Sequence, residues 1–224
     1  MDIADRVFLV TGATGGLGAE IARVLTRRGA RVVLTGRDGE RLQSLDIPGE
    51  RFTADLRLPS AAGLAVEQAH GFHGRLDGVI NCAGVVAFGM SADTEPDVVE
   101  ELYLTNTFLP IFLFDAAAER LEEGGCLVNL TGLVAERPTA GMAAYSGSKA
   151  AIAAHLSALR RELRRKKITV IDARPGHTET ELSRHPIAGE APRLGDGHDP
   201  AAVAARIVDA IAHDESDLGP ESFG

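Results

Sequence analysis

Short apolar runs rich in β-branched residues alternate with longer amphipathic stretches along almost the whole chain, and few folds tolerate that order. The runs are RVFLVTG (6–12), ARVVLTG (30–36), ERFTAD (50–55), LDGVINCAG (76–84), GGCLVNLTG (124–132) and ITVIDARPG (168–176). Between them the spacing predicts helices over 18–28, 39–45, 60–70, 94–122 and 144–166, with a last one over 200–213. Near-continuous apolar strands separated by helices imply a parallel sheet buried on both faces and joined by right-handed crossovers. The expected architecture is α/β, doubly wound, with six to seven strands.

At 224 residues and 45% hydrophobic content the chain can bury one sizeable core, so a single domain is expected. A Pro/Gly-rich stretch within 181–199 reads as a surface loop of that domain. The formal net charge of -9 excludes nonspecific affinity for nucleic acid or an anionic membrane, both of which need a positive field. The basic run from Arg160 to Lys167 closes a predicted helix, where the dipole favours cations. Cys82 and Cys126 lie in buried-strand patterns and behave as small hydrophobes. The acidic start MDIAD turns glycine-rich before an apolar signal core forms, and no run reaches membrane-spanning length, so a cytoplasmic protein is expected. The histidines lack metal-ligand spacing, so no metal is expected.

The turn after the first strand, TGATGGLG, places Gly12, Gly16 and Gly18 between strand and helix. Such glycines let a backbone approach a pyrophosphate and leave a helix N-terminus facing it, which points to a dinucleotide. A plain structural turn or a methyltransferase loop shares this signal. The second strand sharpens the choice: no acid stands where an NAD ribose would be held, and Gly36 is followed by Arg37, a guanidinium suited to a 2′-phosphate. NADP(H) is therefore preferred over NAD(H), with Asp38 as the N-cap of the next helix.

Tyr145 and Lys149 stand four apart on a predicted helix and share a face. An ammonium beside a phenol stabilises the phenolate, and lowering its pKa by about three units takes roughly 4 kcal/mol. TGATGGLG, NCAG (81–84), YSGSK (145–149) and RPGHTET (174–180) together resemble the short-chain dehydrogenase/reductase family in identity, order and spacing. The resemblance spans nearly the whole chain and implies a Rossmann-fold oxidoreductase that moves hydride between nicotinamide and a small carbonyl or secondary-alcohol substrate. It puts Gly12, Gly16 and Gly18 under the pyrophosphate, with Thr14 and Leu17 in the same turn. Asp55 would meet adenine beside Leu56, and Asn81, Ala83 and Gly84 would support the adenosine ribose. Pro175, Gly176, Thr178 and Thr180 would line the nicotinamide end. Tyr145 becomes the acid/base and Lys149 the ribose ligand that lowers the tyrosine pKa. A homodimer through the helices carrying Asn106 and Tyr145, or a homotetramer, is implied, with residues 181–199 covering the substrate.

Asn106 matches the family's helix asparagine, which organises a water relay. Pro110, four residues on, lacks an N–H, so the Asn106 carbonyl is expected to be free to accept from water at a helix kink. The family's serine, thirteen residues before the tyrosine, is Gly132 here. Loss of one such donor lowers turnover by about 10²–10³-fold. Thr131 through a bent strand end, an ordered water beside Gly132, or His177 are the replacements considered, the first two ahead. A nucleotide-binding protein with weak or no catalysis, a sensor or partner subunit, is the alternative reading.

Overall fold

The computed structural model describes residues 1–224. Seven strands, β1 (Val7–Thr11), β2 (Arg31–Gly36), β3 (Glu50–Thr53), β4 (Gly78–Asn81), β5 (Cys126–Leu130), β6 (Thr169–Ala173) and β7 (Asp217–Leu218), form one parallel sheet in the order β3-β2-β1-β4-β5-β6-β7. The strand order reverses between β1 and β4, so the crevice at their carboxyl ends is where such a sheet holds a ligand. β1 is buried at all five positions, as a strand covered on both faces must be.

Odd and even strand residues feed two cores. Phe8, Val10, Ile80 and Val128 pack against α1 (Gly16–Arg27) and, further on, α7 (Pro200–Ala212). Val7, Leu9, Val79 and Leu127 pack against α3 (Pro59–His73), α5 (Leu109–Ala117) and α6 (Ala143–Leu163). The remaining helices are α2 (Gly39–Gln43), capped by the Asp38 carboxylate accepting from the Arg41 N–H at 3.0 Å, and α4 (Pro96–Tyr103). No helix is long and apolar enough to cross a membrane.

One expected element divides. In place of a single helix over 94–122, α4 and α5 are joined by a five-residue π-helical turn, Leu104–Phe108. Pro110 has no N–H to give, and the chain absorbs the missing bond by widening the preceding turn: the Leu109 N–H donates to Leu104 oxygen, five residues back. The single long helix is thereby corrected: the irregularity expected before Pro110 takes the form of a π turn that contains Asn106.

Candidate active site

The turn after β1 is built around absent side chains. Gly12 sits at φ +62°, and a Cβ there would lie 2.6 Å from the Ala83 nitrogen, so the turn and the end of β4 touch backbone to backbone. A Cβ on Gly16 would meet Thr180 Cγ2 at 2.8 Å, which places Thr180 against the same turn. α1 begins with no side-chain cap and no acid in its first turn, leaving its N–H groups free for an anion. A cleft of about 220 Å³ opens beside it, lined by Gly12, Thr14, Arg37, Asp55, Ala83 and Gly84 among others. This arrangement fits a dinucleotide.

At the far end of the cleft the structure adds residues that the sequence pattern did not single out. Arg41 lines it with Arg37 and donates to Thr14 oxygen at 3.3 Å. Arg57 clasps Asp55 and reaches Glu101 on α4 at 2.7 Å. Hydrogen bonding from Arg57 holds the Asp55 carboxyl below the usual carboxylate range. Arg37 stays 57% exposed, 3.9 Å from Glu101, with its guanidinium open to solvent. Leu56 lines the cleft while burying its side chain in the core beneath, whereas Leu17 packs partly against the opposite core and does not line the cleft.

Asn81 does not line the cleft. It is 3% exposed and forms a strut: the Thr11 hydroxyl donates to its Oδ1 at 2.7 Å, and its amide donates to Asn129 Oδ1 at 2.7 Å. β1, β4 and β5 are thus tied in register just below the crevice.

Tyr145 and Lys149 sit on the first turns of α6, both nearly buried, at 8% and 6% exposure. The Lys149 ammonium donates to Leu130 oxygen at 2.8 Å, at the end of β5. A Cβ on Gly84 would lie 3.4 Å from Lys149 Nζ and 3.3 Å from Asn106 Oδ1, so these three meet at the cleft's inner wall. Burial pushes Lys149 down to about 8, opposed by the nearby Asp172 and Cys82. Tyr145 moves opposite to the sequence expectation: burial pushes its phenol up to about 12. The expected lowering rests on the lysine together with an oxidised nicotinamide; in the protein alone desolvation dominates, and the Lys149 ammonium donates to the Leu130 carbonyl.

Asn106, 1% exposed on the π turn, accepts from the Val85 N–H at 3.0 Å and donates to Val85 oxygen at 2.9 Å and Ser148 Oγ at 3.1 Å. Its side chain therefore locks the segment after β4 to α6, two residues of which carry the tyrosine and lysine.

Thr131 is corrected. Its hydroxyl donates to the Asp172 carboxylate on β6 and is 1% exposed, committed to the sheet rather than turned toward Tyr145. A buried carboxylate is the stronger acceptor and captures the only hydroxyl at the strand end. Gly132 follows at φ 88°, ψ 163°, a region open essentially to glycine alone. His177 is also not brought to the tyrosine: its Nε2 lies 3.4 Å from Glu179 Oε1 and it lines a hollow of about 480 Å³ formed wholly within 177–195. That hollow, though larger than the cleft, contains neither Tyr145 nor Lys149. Within 181–199, the Ile187 N–H donates to Val86 oxygen at 2.8 Å and the Phe88 N–H to Ala188 oxygen at 2.9 Å, and Ala188 joins the small apolar cluster that includes Tyr145. Pro175 and Gly176 lead into this segment, Pro175 oxygen accepting from the Leu133 N–H at 3.0 Å and the Thr178 hydroxyl donating to Gly176 oxygen at 3.2 Å.

Comparison with known proteins agrees with this geometry. Residues 6–190 match the short chain dehydrogenase family. The chain is 30% identical over 245 residues to the dehydrogenase/reductase SDR family member 7B of Danio rerio, covering all of this chain and 79% of that one. It is 28% identical over 217 residues to an uncharacterized oxidoreductase of Staphylococcus epidermidis, 94% of this chain and 91% of that one. Among solved structures, a short chain dehydrogenase from Burkholderia cenocepacia in complex with NADP superposes with a TM-score of 0.87 at 28% identity over the full length of both. A dehydrogenase/reductase from Sinorhizobium meliloti gives 0.87 at 26% identity, covering 100% of this chain and 98% of that one. The chain belongs to the short-chain dehydrogenase/reductase family and is an oxidoreductase acting on CH–OH or C=O groups.

Proposed function

We propose an NADP(H)-dependent oxidoreductase of small carbonyl or secondary-alcohol substrates in which Tyr145 exchanges the proton at the substrate oxygen. The observation that carries it is the joint burial of Tyr145 and Lys149 on the first turns of α6, with the Lys149 ammonium 3.4 Å from where a Cβ on the cleft-lining Gly84 would lie. Bound NADP(H) supplies or accepts the hydride. Gly12, Gly16, Gly18 and the free α1 N-terminus hold its pyrophosphate, and Arg37 with Arg41 meets the 2′-phosphate. Tyr145, a phenol at neutral pH, donates its proton to a carbonyl oxygen as the carbon is reduced, and water restores the proton. Lys149 binds the cofactor ribose, its ammonium seated at the cleft's inner wall by the Leu130 carbonyl. Asn106 fixes Val85 and α6 so that these groups keep their spacing.

The NADP-bound Burkholderia neighbour supports the 2′-phosphate reading, as do the two guanidiniums and the lack of a ribose-binding acid after β2. A homodimer through the outer faces of α4, α5 and α6 is supported by exposed Leu104 and Phe108, the latter stacked on Phe112 with ring centroids 6.1 Å apart. Free Cys82 and Cys126 suit a cytoplasmic setting.

The second reading, nucleotide binding with little catalysis, is favoured by one observation: with Thr131 bonded to Asp172 and a glycine-only backbone at Gly132, no side-chain hydroxyl of the β5 end reaches the substrate position. The two are separated by following absorbance loss of NADPH and NADH over a panel of ketones and diketones. The proposal expects turnover with NADPH exceeding that with NADH. Tight NADPH binding with no turnover across the panel supports the second reading.

A further inference from the structure

A charge stands in the middle of an otherwise apolar strand. Asp172 on β6 is 4% exposed, and burying a carboxylate is costly unless it is paired. Its Oδ1 accepts from the Thr131 hydroxyl and its Oδ2 from Arg174 Nη1 at 2.6 Å. Arg174 reaches on to Asp217 at 2.8 Å and to the Glu136 carboxylate. Thr131 and Glu136 are the two ends of the segment that contains Gly132, so the Asp172–Arg174 pair grips both. Thr131 directly follows Leu130, whose carbonyl receives the Lys149 ammonium. Register puts Asp172 beside Asn129 on β5, on the sheet face that α6 covers.

We propose that Asp172 is a positioning residue for Lys149: through Thr131 it fixes the strand end that seats the ammonium, and its negative charge keeps that buried amine cationic at neutral pH. This rests on the reading of Lys149 as part of the reaction site.

The charge inventory supports the assignment. The titratable groups acting on Lys149 are Asp172 on β6 and Cys82 at the end of β4, with Tyr145 four residues earlier on its own helix, while the π turn offers only the neutral Asn106 amide. Of these, Asp172 is the one carboxylate; burial pushes Cys82 and Tyr145 each up to about 12, which leaves both uncharged at neutral pH. Beyond Asp172, the carboxylates of Glu136 and Asp217 face the guanidiniums of Arg174 and Arg160, the latter 3.9 Å from Asp217. Arg174 is shared among Asp172, Glu136 and Asp217, so its one positive charge does not cancel the field that Asp172 exerts on Lys149.

The chain has three lysines, Lys149, Lys166 and Lys167, which makes a direct test practicable. Protein labelled with ¹³C at lysine Cε is titrated by NMR without substrate or nucleotide, where Lys149 is the resonance with a midpoint near 8. Asp172→Asn keeps an acceptor for Thr131 but removes the charge, and the Lys149 midpoint falls by about one pH unit. Thr131→Val leaves the charge and leaves the midpoint within a few tenths. Arg174→Gln removes a compensating cation and raises the midpoint, which serves as the test should Asp172→Asn not fold. An Asp172→Asn midpoint equal to wild type, or a Thr131→Val shift as large as that of Asp172→Asn, overturns the proposal, as does an unchanged or lowered midpoint in Arg174→Gln. In turnover assays the alkaline limb of the Asp172→Asn rate profile moves to lower pH by the same amount, whereas a structural role would lower the rate at every pH. The NMR result stands whether or not the protein turns over a given ketone, so the failure of this inference and of the enzymatic reading are distinguishable.

Discussion

The two ends of the crevice are held by different physics. At the β1–β2 end the site consists of backbone: Gly12 against Ala83, Gly16 against Thr180, and an uncapped helix start. At the β5–β6 end it consists of buried charge: Lys149 on Leu130 oxygen, Thr131 on Asp172, Asp172 on Arg174. The first tolerates no added atom, while the second tolerates a changed shape better than a changed charge. A glycine also sits at the second end, Gly132, but its constraint is its own φ of 88° rather than crowding, since a Cβ there would meet only Pro175 oxygen at 3.6 Å.

Gly12→Ala attacks the crowded end and is expected to have the largest effect on stability and nucleotide binding. The methyl must displace the Ala83 backbone from a positive-φ position, costing about 2–4 kcal/mol in unfolding free energy and reducing NADPH affinity more than tenfold. Denaturant melts and fluorescence titration check it; wild-type values for both would mean that the two backbones are not in contact.

Gly132→Ser sharpens the contrast. The variant restores the family's hydroxyl, yet the backbone there belongs to glycine, and it should lose about 1–3 kcal/mol of stability without gaining turnover. A faster enzyme with an unchanged melt would show that the strand end relaxes freely. Arg37→Asp probes the exposed rim of the nucleotide end. It should cost NADPH about tenfold or more in KM and shift preference toward NADH, with Arg41 retaining part of the contact. An unchanged NADPH to NADH ratio would remove Arg37 from the 2′-phosphate site.

The smallest effect concerns the charged end alone. The Lys149 pKa is lowered on folding, to about 8 from 10.5, so below 8 the folded state carries a buried charge at a cost that relaxes as pH rises toward 10.5. Lys149→Met should therefore be more stable than wild type at pH 7, with the gap narrowing by about 1 kcal/mol by pH 9. Melts at the two pH values check this, and a constant gap would mean that the amine is not desolvated.

Legibility in the sequence follows the same division. The strand and helix alternation, the glycine turn and the Tyr145–Lys149 spacing announce themselves locally, because periodicity and small residues are local signals. The joined helix over 94–122 was misread because Pro110 can be met by a kink or by a widened turn, and packing against α6 decides between them. Thr131 was misread for a longer-range reason: its direction is set by Asp172, forty-one residues later. The signal that could have found it was on view, an aspartate inside ITVIDARPG, since a lone acid in a buried parallel strand must be spoken for by something nearby. Arg41 and Arg57 gave no comparable signal, because arginines after a turn are ordinarily solvated.

The most direct test of the account is the turnover of Tyr145→Phe with a ketone that wild type reduces, taken together with its NADPH dissociation constant. The proposed chemistry predicts a rate lower by about 10²–10⁴-fold with nucleotide affinity unchanged, because only the transferable proton is lost. A rate within threefold of wild type would show that the proton comes from elsewhere and contradict the role given to Tyr145.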